Sequence, residues 1–350
     1  MALVLCVLAV IVTLSLSVSA VVVNFPDSKL QQVIRDAIGK PAGDIDSSDL
    51  VGLTDLNAAN KTITNLEGLQ HCTDLVTLNL ATNYISDLTP LASLLNLEDL
   101  ELSGNEFSSV APLAGLVNLA LLDLDFCNNV SDISPLAALV NLVNLRASEC
   151  SIEDISVVAG LANLTSAYFF SNRITDITPL AGHPSLSILS LGENQITDIT
   201  PLAGLTGLRG LALDDNPIVD VSALTGLVNL EGLWLDAVRL YDLEPLILNA
   251  GLGAGDIIYI RNNHLCLSPG SEDQLDVDAL VARGATVYSD PQLFCPESAA
   301  VFRVATTGDV EIDGALYGAA FETGAADIAE WVDISTQTEP GDVVELDPSA

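Results

Sequence analysis

The chain has 350 residues, 49% of them hydrophobic, with 11 Lys and Arg against 47 Asp and Glu and a formal charge of -36. Acidic disordered chains lack that apolar content, so this one is expected to fold. The charge repels phosphate backbones and anionic lipid surfaces, which argues against nucleic-acid and membrane-surface binding and leaves basic proteins, neutral glycans and cations as partners. No lysine follows Lys61, so a P-loop lysine, a Ser/Lys dyad or a Schiff-base lysine would have to be Lys29, Lys40 or Lys61. The cluster Gly251, Gly253, Gly255 has neither a following Lys nor full GxGxxG spacing and reads as a turn.

In chain order, residues 1–20 are apolar from Ala2 onward and end in Val18-Ser19-Ala20, the pattern of a secretory signal cleaved after Ala20. No basic residue precedes the apolar run, which continues to Val23 and is also long enough for an uncleaved anchor. The cleaved signal is the favoured reading, and either case places the mature chain outside the cytoplasm. Asp27 then reads as the cap of a helix carrying Leu30, Val33, Ile34, Ala37 and Ile38 at helical spacing.

From there the chain repeats every 22 residues, with one extra residue near Asn128–Asn129. One slot holds Asn83, Asn105, Cys127, Cys150, Asn172, Asn194 and Asn216; Lys61 opens the series, and Val238 and Asn263 close it. LxxLxL precedes the slot, as in Leu75-Leu78-Leu80 and Leu186-Leu189-Leu191. The block ITDITPLAG follows it to the letter at 174–182 and 196–204. LxxLxLxxN at this period is the leucine-rich repeat signature. Residues 65–250 resemble the repeats of internalins and of phosphatase-regulatory subunits, and residues 24–64 resemble the N-terminal flank of secreted bacterial members.

The expected fold is an α/β solenoid. LxL strands stack into a curved parallel sheet on the concave face, with short helical turns on the convex face, a helical N-terminal cap and a small C-terminal β-module. The division is a signal peptide at 1–20, the cap at 21–64, repeats at 65–250, the last repeat and C-terminal cap at 251–296, and a β-rich module at 297–350. In the repeated block, Ile174, Ile196, Leu180 and Leu202 are core. Thr178-Pro179 and Thr200-Pro201 read as N-cap and first helical position, and Gly182 and Gly204 as turn releases. The row Asp87, Asp132, Asp154, Asp176, Asp198, Asp220, Asp242 is read as bonding local backbone amides rather than calcium. The stretch 271–284 predicts a helix through Leu275, Leu280 and Val281, followed by a strand in ATVYS.

No metal, cofactor or catalytic set emerges. His71 and His183 lie five rungs apart, on the order of 24 Å, too far to share a metal or triad. Neither C-x-x-C, G-x-S-x-G nor HExxH occurs. Cys72 stands in a core leucine slot and reads as an inert buried thiol. Cys127 and Cys150 are either a disulfide or two small fillers of the Asn slot. Cys266 and Cys295 bracket the C-terminal cap, and an extracellular chain favours their pairing.

The resemblance implies ligand binding on the concave sheet, at the variable positions between the fixed leucines. There the architecture does not require the aromatic Tyr168, Phe170, Trp234 and Tyr259, nor Arg146, and Glu101, Asp123 and Asp125 make an acidic patch beside them. The expected function is a secreted or cell-surface protein, not an enzyme, that binds a protein partner through this face. A glycan- or envelope-binding adhesin is the first alternative. The second is autoprocessing in 297–350, part of which resembles chaperone or autoprocessing domains of phage-tail-like proteins.

Overall fold

A computed structural model of the protein describes residues 21–290, 292, 301–304 and 310–313. The signal-like segment 1–20, Cys295 and most of 297–350 lie outside the described residues.

Eleven three-residue strands form one parallel sheet in sequence order. They are β1 (Asp55–Asn57), β2 (Thr77–Asn79), β3 (Asp99–Glu101), β4 (Leu121–Asp123), β5 (Asn144–Arg146), β6 (Ser166–Tyr168), β7 (Ile188–Ser190), β8 (Gly210–Ala212), β9 (Gly232–Trp234), β10 (Ile257–Tyr259) and β11 (Thr286–Tyr288). Register is held in every pair, so Leu78, Leu100, Leu122, Leu145, Ala167, Leu189, Leu211 and Leu233 form one buried inward row. Side chains alternate along a strand, which sends the residues either side of that row to the open face. Separately, β12 (Val301–Val304) and β13 (Val310–Asp313) pair antiparallel, consistent with β structure in the tail.

Each of β2 to β10 ends in a bend taken by one residue in left-handed backbone, as β1 does at Asn60. Thr82, Phe126, Glu149, Ser171, Glu193, Asp215, Ala237 and Asn262 hold it with φ of 50–61°, and Gly104 with 65°. Their N–H groups reach the next rung, as Glu193 N donates to Asp214 O at 2.8 Å. The Asn slot follows immediately. Asn194 is typical: its Oδ1 accepts Ile174 N–H at 2.9 Å, and its Nδ2 donates to Phe169 O and Leu191 O, both at 2.9 Å. Asn83, Asn105, Asn172, Asn216 and Asn263 repeat the pattern. A buried backbone group without a partner is costly, so this ladder is what lets the chain turn inside the core.

The aspartate row does what local chemistry demands. Each carboxylate accepts an N–H two residues on, from Thr89 to Glu244, at 2.7–2.8 Å. Two sequence expectations are corrected here. Thr178 and Thr200 are the first residues of their 3-10 turns and not side-chain caps; Asp176 and Asp198 supply that function. Gly182 and Gly204 have neither positive φ nor a close neighbour, so the turn does not require glycine there.

A second amide ladder, not singled out in the sequence, runs outside the core. Asn96, Asn118, Asn141, Asn163 and Asn229 each donate to a carbonyl of the preceding rung at 2.8–3.0 Å.

The N-terminal helix α1 (Ser28–Ile38) buries Leu30 and Ile34 and ends on Gly39 at φ 67°. Asp27 ties it to the solenoid, because Oδ1 caps Lys29 and Leu30 while Oδ2 accepts Thr64 N–H at 2.8 Å. Burial works to raise its pKa, but the N–H donors of Thr64, Leu30, Lys29 and Asn65 outweigh it and hold the carboxyl below its usual range. At the other end lie the short α2 (Glu244–Leu248) and α3 (Glu272–Ala282). α3 packs through Val277 and Leu280, whereas Leu275 and Val281 are exposed, a correction to the predicted face.

Candidate functional site

The open face carries two outward columns from the repeat. One runs Asn79, Glu101, Asp123, Arg146, Tyr168, Ser190, Ala212, Trp234, Tyr259, Tyr288. The second lies two residues further along each rung, through Asp125, Ser148, Phe170, Gly192, Asp214, Asp236 and Arg261. Neither column contributes to the leucine core, so its chemistry is free to vary.

The eight residues singled out in the sequence fall into two groups rather than one. Glu101, Asp123, Asp125, Arg146, Tyr168 and Phe170 lie on β3–β6 and the residues that follow; Trp234 and Tyr259 lie on β9 and β10. Three rungs separate Tyr168 from Trp234, roughly 14 Å at the strand spacing.

In the first group Arg146 organises the acids. Its Nε donates to Asp125 Oδ2 at 2.8 Å, lies 3.5 Å from Asp123 Oδ2, and its guanidinium carbon stands 4.8 Å from the Tyr168 ring centre. Asp125 is buried and its other oxygen accepts Ser148 N–H at 2.7 Å. Burial first, then the charges of Asp125 and Glu101, push the Asp123 carboxyl up, opposed by the Asp125 N–H and Arg146. Glu101 accepts from the Asn79 amide on the neighbouring rung.

The second group is an aromatic stack along the sheet. Trp234 and Tyr259 lie 5.8 Å apart at 10°, and Tyr259 and Tyr288 lie 4.6 Å apart at 9°. The Trp234 ring lies against Gly232, where a Cβ would come within 2.7 Å of it. Trp234 and Tyr288 remain 38% and 45% exposed, with Ile257 beside them at 39%. Arg261 repeats the role of Arg146: Nε donates to Asp236 at 2.9 Å, and the guanidinium carbon is 5.2 Å from the Tyr259 ring centre.

Four contributors escaped the sequence reading. Tyr288 belongs to the cap strand β11, whose register with β10 sets it opposite Tyr259. Asp236 and Arg261 looked ordinary singly and matter as a pair. Phe126 is an exposed aromatic in the left-handed slot at φ 61°, immediately after Asp125. The signal for Phe126 was a bulky residue where its neighbours hold Gly104 and Glu149.

A groove of about 420 Å³ on the turn side is lined by Asp132, Asp154, Glu153 and Arg173, but its aspartates cap Ser134 and Ser156. Among the described residues no cluster of His, Cys, Asp or Glu could hold a metal. Cys72, Cys127 and Cys150 are buried free thiols, pushed by burial up to about 12, 11 and 12. Cys127 and Cys150 fill the Asn slot and donate weakly to Leu102 O and Leu124 O. His183 is buried in a leucine slot, and burial holds it below its usual range against backbone bonds at Val158 and Pro179. Cys266 is not among the free thiols, and its predicted partner Cys295 lies outside the described residues.

A model of leucine-rich repeats in two copies matches residues 51–93, 95–138 and 162–204. Among solved structures, internalin C2 from Listeria monocytogenes strain 4b F2365 is 40% identical. It covers 62% of this chain and 94% of its own, with a TM-score of 0.58. An internalin F from the same strain is 26% identical over 78% of this chain and 96% of its own, TM-score 0.53. The ectodomain of the Arabidopsis thaliana receptor kinase GASSHO1/SCHENGEN3, in complex with CASPARIAN STRIP INTEGRITY FACTOR 2, shares the fold at 23% identity. It covers 63% of this chain and 29% of its own, TM-score 0.53. A search of curated proteins returns no match.

Proposed function

The chain belongs to the internalin-like leucine-rich repeat proteins, and from that premise we propose that it is a secreted or cell-surface binding protein that holds a protein partner on its concave face. The observation that carries this reading is the Trp234–Tyr259–Tyr288 stack, large rings half-open to solvent at positions the core does not need. Exposed aromatics beside arginines are a composition enriched in protein interfaces. The leader-like residues 1–20 support the location. Among the described residues no helix is long and apolar enough to cross a membrane.

A protein partner is favoured over a glycan by the ion pairs set beside the rings, Arg146 with Asp125 and Arg261 with Asp236, and by Tyr259, whose two faces are taken by Trp234 and Tyr288. The reading is that of a binding protein and not an enzyme; autoprocessing in 297–350 falls outside the described residues. The test is cross-linking of the full chain on its native surface, followed by affinity measurement with the captured partner. Joint replacement of Tyr168, Phe170 and Trp234 by Ala is expected to abolish binding while leaving the unfolding midpoint within a degree or two. Unchanged affinity would sink the concave-face reading.

A further inference from the structure

From each 3-10 turn the chain runs back to the next strand along one flank of the solenoid. Seven consecutive stretches do so, 89–97, 111–119, 134–142, 156–164, 178–186, 200–208 and 222–230, and none contains Asp, Glu, Lys or Arg. The chain is 17% charged and carries -36, so this flank is a neutral strip on an otherwise acidic body. Glu98, Arg209 and Glu231 stand at its rim beside the strands, and charge returns at either end with Asp74 and Glu244. The core leucines do not account for the strip, because positions between them are open. Leu95, Val117, Val140 and Val228 share one slot after a buried leucine and are about half exposed, with Val143 exposed beside them.

The outer amide ladder runs through the same strip. Asn118, Asn141 and Asn163 donate to Leu95 O, Val117 O and Val140 O at 2.9, 2.9 and 2.8 Å. The carbonyls of the exposed aliphatic residues are thus already satisfied, and covering the row strands none of these acceptors. Six rungs separate Leu95 from Val228, roughly 29 Å at the strand spacing. An exposed apolar row rimmed by polar groups is the mark of an interaction surface.

We propose that two copies of the chain meet on this flank, the occupant being the same strip of a second copy related by a two-fold axis. Two observations choose a copy over another partner. A body of charge -36 repels its copy through every acidic surface, whereas the neutral strip lets two copies touch without setting carboxylates against each other. The row also repeats at the rung pitch of about 4.8 Å, and a second solenoid brings a row of the same pitch, so a two-fold contact is self-complementary. Pairing on the flank leaves each concave face free, which makes the inference independent of the concave-face reading.

The test is analytical ultracentrifugation of the full chain from about 1 to about 200 µM, a range that covers weak and transient interfaces. A monomer–dimer equilibrium is expected, tightening several-fold as salt rises from about 0.05 to about 0.5 M, because salt screens the repulsion between two anionic bodies. Val117→Glu with Val140→Glu is expected to weaken it more than about a hundredfold, through like charges brought face to face. Val219→Glu, on an exposed aliphatic residue in the stretch before a turn, is expected to leave it within about twofold. All four residues or positions compared are surface ones, so melting temperatures of the variants should match the parent within a degree or two. A monomer throughout the range, an equilibrium that salt weakens, or one unmoved by the double Glu replacement would overturn the proposal. So would loss of the dimer on Trp234→Ala, which would make the aromatic stack the surface that two copies bury.

Discussion

The side-chain oxygen of Asn194 accepts the backbone N–H of Ile174 at 2.9 Å, joining two rungs through the middle of the turn. The same amide donates to Phe169 O and Leu191 O, so one residue satisfies three buried backbone groups. Asn194→Ala strands the Ile174 N–H, while Phe169 O and Leu191 O keep the amides of Asn172 and Asn216, and is expected to cost about 2 kcal/mol in urea unfolding, given 1–3 kcal/mol per unpaired buried group. Asn194→Cys keeps a weak donor, as Cys127 and Cys150 do in the same slot, and should cost less. Equal costs would show that the thiol contributes nothing there.

His183 gives a pH signature. Burial depresses its pKa in the folded state, so the unfolded chain binds the proton more readily. Its neutral burial therefore stabilises fully above the unfolded value of about 6.5, and that stability is lost as pH falls below it. Half-buried Asp123, Asp214 and Asp273 are shifted up and act in the opposite sense, so the test must be a difference. His183→Leu, which restores the repeat residue, should raise the melting temperature more at pH 5 than at pH 7.5; the same gain at both pH values would contradict this account.

Phe126 holds left-handed backbone at φ 61° with its ring 53% exposed. A bulky residue there is strained by about 1 kcal/mol or more relative to one that tolerates the region. Phe126→Asn, the residue type found at Asn262 in the same slot, is therefore expected to stabilise the fold by about 1 kcal/mol while weakening partner binding. A variant with gain in stability and unaltered affinity would show that the ring has no part in the site.

The three buried thiols should be chemically silent. With Cys72, Cys127 and Cys150 pushed to about 12, 11 and 12, almost no thiolate exists at pH 8. Iodoacetamide is expected to leave all three unmodified in the folded chain and to label all three in denaturant, read by intact mass. Rapid native labelling of Cys127 or Cys150 would mean that the turn opens locally.

Much of the fold was legible in the letters because its unit is short and repeated. A 22-residue period with fixed leucines leaves one way to bury each rung, so strands, Asn ladder and aspartate caps follow from local chemistry. Misreadings occurred where two local solutions compete. Thr178 and Asp176 are both capping residues, and only the turn geometry shows that the carboxylate takes the amide. In α3 the irregular sequence gives no clean stripe, so packing against the last rung, not spacing, selected Val277 over Leu275 and Val281.

What the sequence determined by itself was the solenoid and which positions face outward, because those depend on period and alternation alone. What only the tertiary structure decided was how outward residues group. Register set Tyr288 beside Tyr259, split Tyr168 from Trp234 by three rungs, and assigned Arg146 to Asp125 and Arg261 to Asp236. Such pairings join residues 21 to 29 positions apart through side-chain geometry, which depends on the stacking of whole rungs and is not encoded in any one of them.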